Sequence, residues 1–367
     1  MIKITQPIIG QEEIDAVVEV MKSGVIAQGP ITAKFEEEFA NFCGTKYASA
    51  MSNGTTALHA ALYACGIKEG DEVITTPFTF VATANSILMQ NATPVFVDID
   101  PETYLIDPKE VVKKITSKTK AILPVDLYGQ VYDVEEIGEI AKSNNLMIIE
   151  DACQAHGAEY KGKKSGTFGD AACFSLYATK NMVTGEGGML TTDNEEINDK
   201  ARMFRHHGQS EKVRYTYFDL GYNYRLTDIA SAIGREQLKK LDSFTDARIR
   251  NATKLSEGLK DIPGIVIPKV KADCKHVFHQ FTIRVTKDFP LTRDELSEYL
   301  TKNEIGNAIF YPKPLHTFPQ FEKFGYKLGD FPIAEAVSRE VLSLPVYPLV
   351  TDENIEFIIK SIKEAGK

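Results

Sequence analysis

The sequence predicts an α/β protein: a mostly parallel sheet flanked by helices, followed by a smaller C-terminal α+β unit. Three observations predict it. Short β-rich apolar runs alternate with helix-like segments through the first two-thirds of the chain. Each intervening segment is long enough for a crossover helix, which places helices on both faces of the sheet. From about residue 235 the alternation gives way to a long charged helix and a sparser mixture of elements.

The expected strands, in order, are KYASAM (46–51), EVITT (72–76), PVFVDI (94–99), KAILPV (120–125), LMIIED (146–151), ACFSLY (172–177) and GMLTT (188–192). Between them lie amphipathic stretches such as TTALHAALYACG and VEEIGEIAKSNN. In FEEEFANF, Phe35, Phe39 and Phe42 recur at helical spacing and are read as a core stripe. The charged run EQLKKLDSFTDARIRNATKLSEGLK reads as a connecting helix, HQFTIRV as a strand and ENIEFIIKSIKEAG as a final helix. The expected division is a large α/β domain over 1–240 and a small α+β domain over 241–367.

Composition bounds the function. A chain of 367 residues with 43% hydrophobic and 25% charged residues can bury a sizeable core, and its length suggests two domains. A net charge of −9 argues against a nucleic-acid or membrane-surface binder, so any contacts to an anionic small substrate must be local. The five cysteines are odd in number and form no CxxC pair, as expected of free thiols in a reducing cytoplasm. The first twenty residues show no signal-peptide stretch, and no apolar run is long enough to span a membrane. A cytoplasmic location follows as the expectation.

In open α/β sheets, ligands bind beyond the carboxyl ends of the strands. Polar residues at those ends include Asn53 to Thr56, Phe78 to Phe80, Asp126, Asp151 to Gln154 and Ser175 to Lys180. Three ends are complementary. SNGTTALHAAL starts a helix with Gly54 and Thr55, where free amides and the helix dipole make a phosphate seat. Asp151 ends IIED, where a buried carboxylate needs a cation such as a protonated pyridine nitrogen. Ser175 and Lys180 follow in ACFSLYATKNMVTGEGGML, and a buried lysine amine can form a Schiff base with an aldehyde cofactor. Taken singly, each has a plainer reading: helix caps for Ser52, Asn53 and Thr55, a turn cap for Asp151, a solvated amine for Lys180. Together they make the minimal kit for pyridoxal phosphate (PLP).

At these residues the chain resembles the DegT/DnrJ/StrS sugar aminotransferases, of the aspartate-aminotransferase-like fold (PLP fold type I). The resemblance runs from IAQGPITAKFEEEFANFCG through NGTTALHAAL, DEVITTPFTFVATANSI, EDACQAHGAEYKGKKSGTFGDAACFSLYATKNMVTGEGGM and GYNYRLTDIASAIG to YPKPLH. It implies that Lys180 links covalently to PLP and shuttles the proton, and that Asp151 pairs with the ring nitrogen. Gln154 is implied near the ring hydroxyl, Phe80 on the ring face, and Gly54, Thr55 and Ser175 at the phosphate. Asn223, in GYNYRLTD, is implied to reach the phosphate from the other subunit of a homodimer with shared sites. Tyr311 and His316, in YPKPLH, are implied near the substrate. The implied activity transfers an amino group from an amino-acid donor, expected to be glutamate, to a keto sugar carried on a nucleotide. The turn KNMVTGEGGM, with Thr184 and Glu186, is similar to that of members acting at carbon 4 of a 4-keto-6-deoxy sugar; those acting at carbon 3 more often carry a GxxGDGG-like turn.

Other residues are set aside. Asp98 and Asp100 form a DxD pair, which in nucleotide-sugar glycosyltransferases holds a metal, but Pro101 follows at once and turn formation is the simpler reading. His276 and His279 are spaced HxxH without further ligands, so no metal is expected. His206 and His207 fit an anionic substrate or a surface loop equally. The alternatives to 4-amination are thus amination at carbon 3, a DxD glycosyltransferase, or a non-catalytic ligand-binding regulator.

Overall fold

The computed structural model describes residues 1–210 and 215–367. The seven expected strands form one sheet: β1 (Tyr47–Met51), β2 (Glu72–Thr75), β3 (Thr93–Phe96), β4 (Thr119–Ile122), β5 (Met147–Asp151), β6 (Ala171–Ser175) and β7 (Gly188–Thr192). Their order is β1-β7-β6-β5-β4-β2-β3. Pairing is parallel from β3 across to β6, whereas β7 is antiparallel to both β6 and β1. Six strands therefore run one way and β7 runs against them. The reason is local: the β6–β7 link contains no helix, and parallel neighbours need a long crossover. The result brings the carboxyl ends of β1, β5 and β6 to the same edge as the amino end of β7.

Helices cover the sheet. α1 (Gln11–Ser23) and α2 (Pro30–Cys43) lie before it in the chain, and α3 (Gly54–Ala64) follows β1 directly. The stripe on α2 is core: Phe35 and Phe39 are buried, with ring centroids 6.0 Å apart, and Phe39 meets Phe174 of β6 edge-on at 5.1 Å. α3 is apolar nearly all round and correspondingly buried, between the sheet, α4 (Val81–Met89) and the later helix Glu195–Arg205.

A 32-residue helix, Asp228–Leu259, forms the connector. Thr227 caps it, and the Asp228 carboxylate accepts from the amides of Gly29 (2.8 Å), Ile31 (3.1 Å) and Thr32 (2.9 Å) at the start of α2. Further on, its Leu255 and Leu259 enter a second core with Ile283, Leu296, Leu342 and Ile358. That core lies on a three-stranded antiparallel sheet of Ile265–Val266, Phe281–Val285 and Val341–Leu344. Ile2 packs into the second core and bridges Ile305. Residues 240 and 241 thus lie inside a continuous helix, and the extreme N-terminal residues pack with the C-terminal third.

Candidate active site

A cavity of about 910 Å³ opens where β1, β5 and β6 end. Gly54, Thr55, Phe80, Asp151, Gln154, Ser175, Lys180 and Tyr311 all line it, although they come from five separate stretches of chain.

One end of it is the start of α3. Asn53 Oδ1 accepts from Thr56 N (2.9 Å), and Thr56 Oγ1 accepts from Asn53 N (3.1 Å). This reciprocal cap uses Asn53 and Thr56, not Thr55. It leaves the amides of Gly54 and Thr55, which have no intrahelical acceptor, for a ligand. Two glycines make the close approach possible. A Cβ on Gly54 would lie 2.9 Å from Ser175 Cβ and 3.1 Å from Cys153 Sγ, and one on Gly188 would lie 2.2 Å from Asn53 O. Helix start, β6 end and β7 start are in backbone contact only because neither residue has a side chain.

Asp151 closes β5 with 4% of its surface exposed. Its Oδ2 accepts from Thr83 Oγ1 (2.7 Å) and its Oδ1 from Cys153 N (3.2 Å). Among the described residues no Lys, Arg or His lies within ion-pair distance of it. A buried carboxylate without a cation is costly, so the site suits a ligand that brings the positive charge. Thr83, on α4, was missed in the sequence; Thr79, four residues earlier, lies before the Phe80 cap of that helix, so helical spacing does not flag the pair.

Behind Asp151, Asp126 N donates to Asp151 O (3.0 Å). The buried Asp126 side chain accepts from Tyr132 N (3.0 Å), and Ser165 Oγ lies 2.8 Å from both Asp126 Oδ2 and Glu150 Oε1. Glu150 also accepts from Gly166 N (2.8 Å) and Phe168 N (3.2 Å). Burial raises both the Asp126 and the Glu150 carboxyls above their ordinary pKa, and the Glu150 charge pushes Asp126 up further.

Lys180 lies in the β6–β7 link, half-buried at the cavity wall, with its amide donating to Tyr177 O (2.9 Å). Desolvation lowers the pKa of its amine, against the opposing pull of Cys153 and Asp151. A lowered pKa raises the neutral, nucleophilic fraction. Thr184 Oγ1 donates to Glu186 O (2.7 Å), folding the link so that Glu186 also reaches the cavity.

Gln154 is clamped at both ends: Oε1 accepts from Tyr128 N (2.9 Å) and Nε2 donates to Tyr311 Oη (3.2 Å). Burial pushes the Tyr311 phenol up, so it stays protonated. Phe80, 55% exposed, offers its ring to the cavity, 6.3 Å from that of Tyr311. His279 is a lining residue that sequence reasoning treated only as half of an HxxH pair; its Nδ1 is 3.3 Å from Asn181 Oδ1. Burial, then the positive charges of Lys180 and Arg248, depress its pKa and keep it neutral. Ile4 and Thr5 also line the cavity and were not anticipated.

Two expected residues lie elsewhere. His316 does not face the cavity: it is buried against Phe331, ring centroids 4.7 Å apart, with Nε2 3.1 Å from Glu335 Oε1. Within its own chain its contacts are thus the Phe331 ring and the Glu335 carboxylate, outside the cavity lining. Asn223 is exposed, forms a β-bridge with His206, and is outside the lining of its own chain's cavity. His206 and His207 are outside it too.

The DxD pair is structural. Asp98 accepts from Ile333 N and Ala334 N (both 2.9 Å), capping the helix Pro332–Glu340, and Asp100 Oδ1 accepts from Glu102 N (3.0 Å) and Thr103 N (2.8 Å) in a turn. His276 stacks on Phe278 at 4.0 Å and its Nδ1 accepts from Phe278 N (2.9 Å). Among the described residues no cluster of three metal-ligating side chains occurs, and no helix is long and apolar enough to cross a membrane.

Residues 7–363 match the family model for DegT/DnrJ/EryC1/StrS aminotransferases. The GDP-perosamine synthase of Caulobacter vibrioides is 40% identical over 366 residues, spanning 99% of this chain and 98% of the relative. The dTDP-3-amino-3,6-dideoxy-alpha-D-galactopyranose transaminase of Aneurinibacillus thermoaerophilus is 39% identical, over 97% of this chain and 96% of the relative. The crystal structure of S. venezuelae DesV in complex with a ketimine intermediate superposes with a TM-score of 0.93 at 36% identity, covering 97% of this chain and 95% of that one. The cationless Asp151, the amide seat at Gly54 and Thr55, and the lowered amine of Lys180 fit the cofactor of these enzymes. The chain belongs to the DegT/DnrJ/EryC1/StrS family and is a PLP-dependent sugar aminotransferase.

Proposed function

We propose that the enzyme converts a nucleotide-diphospho-4-keto-6-deoxy sugar to the 4-amino sugar with glutamate as donor, as a cytoplasmic homodimer. The observation that supports this reading is that Lys180 and Glu186, the latter held in its turn by Thr184, line one cavity. PLP, when bound, supplies an aldehyde to carry the amino group and a ring that accepts electron density. The protein's part is placement. The Gly54 and Thr55 amides and the Ser175 hydroxyl bind the phosphate, helped by the partner subunit's Asn223. Asp151 holds the ring nitrogen protonated. Gln154, fixed by Tyr128 and Tyr311, would hold the ring hydroxyl, and Phe80 would cover a ring face. Lys180 Nζ, with its pKa lowered by burial, takes and returns the proton. Tyr311 Oη, kept protonated, donates to the substrate.

Similarity to a transaminase named for a 3-amino sugar favours carbon 3 as the second reading. The test is to give the holoenzyme glutamate with a 4-keto or a 3-keto nucleotide sugar, separately, and to locate the new amine by NMR. Amination of the 4-keto sugar is expected. Efficient amination of only the 3-keto sugar overturns the regiochemistry, and amination of neither overturns the substrate class.

A further inference from the structure

Asp151 is served by a chain of hydroxyls. Thr83 Oγ1 donates to Asp151 Oδ2 at 2.7 Å, and Thr79 Oγ1 lies 3.0 Å from Thr83 Oγ1. A hydroxyl has one proton, and the Thr83 proton is committed to the carboxylate, so Thr79 must donate to Thr83. Both threonines are about 1% exposed and both line the cofactor cavity. Ser86 Oγ donates to Thr83 O (2.8 Å), bracing the same turn of α4. Hydroxyls polarised in series strengthen one another where water is excluded, and a bond to an ionised acceptor is stronger than one between neutral groups.

We propose that Thr79 and Thr83 are positioning residues for Asp151: a two-hydroxyl relay that holds its carboxylate oxygen oriented toward the cofactor's ring nitrogen. This rests on the reading of Asp151 as the ring-nitrogen partner. With Thr83 donating, the carboxylate is the weaker base of the pair and the shared proton stays on the ring. Without the hydroxyl, the carboxylate becomes more basic and draws the proton toward itself, weakening the ring as an electron acceptor.

The experiment loads the enzyme with PLP labelled with ¹⁵N in the ring and reads the ¹⁵N chemical shift at pH 7. The wild type is expected at the pyridinium position. Thr83→Val, which keeps shape and loses the hydroxyl, should move the signal toward unprotonated pyridine and favour the proton on the carboxylate by roughly ten- to hundredfold, the range for one hydrogen bond to a charged group. Thr83→Ser should restore the wild-type shift, and Thr79→Val should move it in the same direction by less. Asp151→Asn is the control for the underlying reading: if it leaves the shift at the pyridinium position, Asp151 is not the ring partner. If Asp151→Asn moves the signal and Thr83→Val does not, the relay is overturned. Should Thr83→Val fail to hold cofactor, Thr79→Val decides, and a wild-type shift there overturns the relay.

Discussion

Gly54→Ala tests the phosphate seat with a single methyl group. The new Cβ would sit 2.9 Å from Ser175 Cβ and 3.1 Å from Cys153 Sγ, where carbon contacts settle at roughly 3.5–4.0 Å. Ser175 is fixed in the β6–β7 ladder, so the first turn of α3 must withdraw, by roughly 0.6–1 Å. Overpacking of this kind costs about 1–3 kcal/mol, and alanine returns at most about 1 kcal/mol of helix propensity. The protein should therefore stay folded, losing about 0–3 kcal/mol. Ligand affinity should suffer more. Amide-to-phosphate bonds work at about 2.7–3.2 Å, and a shift of that size weakens two charge-assisted bonds together, enough for a roughly ten- to hundredfold rise in Kd. Pyridoxamine phosphate is the better probe, because it forms no covalent link to Lys180 that would mask the loss. Titration of cofactor-free protein, followed by fluorescence, gives Kd, and urea unfolding gives stability. Unchanged affinity in a folded Gly54→Ala protein would refute the close-approach argument.

Three further outcomes are expected. Lys180→Ala should abolish amino transfer and the visible absorbance of the bound cofactor while the chain still folds; mixed with Asn223→Ala protein under conditions of verified subunit exchange, it should regain part of the activity, and no rescue counts against a shared site. Asp126→Asn should flatten the pH dependence of stability. The Asp126 pKa is raised in the fold above its ordinary 3.8, so its stabilising contribution is full below about pH 4 and is lost as pH rises toward the folded value; urea midpoints at pH 5 and pH 8 should converge in the variant, and an unchanged slope would show that Asp126 is ionised. Asp98→Ala should cost about 0.5–2 kcal/mol through loss of the cap on the Pro332–Glu340 helix, with turnover insensitive to chelators; turnover abolished by chelator and restored by a divalent metal would reopen the DxD reading.

Much of this architecture could be read from local pattern. Each strand of the main sheet is a short apolar run, and Gly54, Asp151 and Lys180 follow strand ends, where chain direction alone exposes them. The antiparallel direction of β7 was not inferred, although the short helix-free link from Leu176 to Gly187 contains it. What remained hidden depends on long-range pairing. The clamps on Gln154 come from residues 26 and 157 positions away. Ile4 and Thr5 reach the cavity because Ile2 bridges Ile305, a pairing with no local signature. His316 sits in YPKPLH, where resemblance alone pointed to the substrate, yet its surroundings include Phe331 and Glu335, from the cap and first turn of a later helix. His279 had a misleading spacing, since HxxH suggests a metal while its real neighbour is Asn181.

The helix Asp228–Leu259 carries a mechanical consequence. At about 1.5 Å per residue it is a rod of roughly 48 Å. Leu241, midway along it, is buried in the main core, and Leu255 and Leu259 are buried in the second. The walls of the cavity draw on chain from both sides of the rod: Asp151 and Lys180 precede it in sequence, Gln280 and Tyr311 follow it. A cut near residue 240 would leave each fragment with half a rod and an open flank of leucines. Heat or denaturant should thus dismantle both cores in one transition, and a mutation that loosens the far core is felt at the cofactor as a loss of alignment before any contact there is broken.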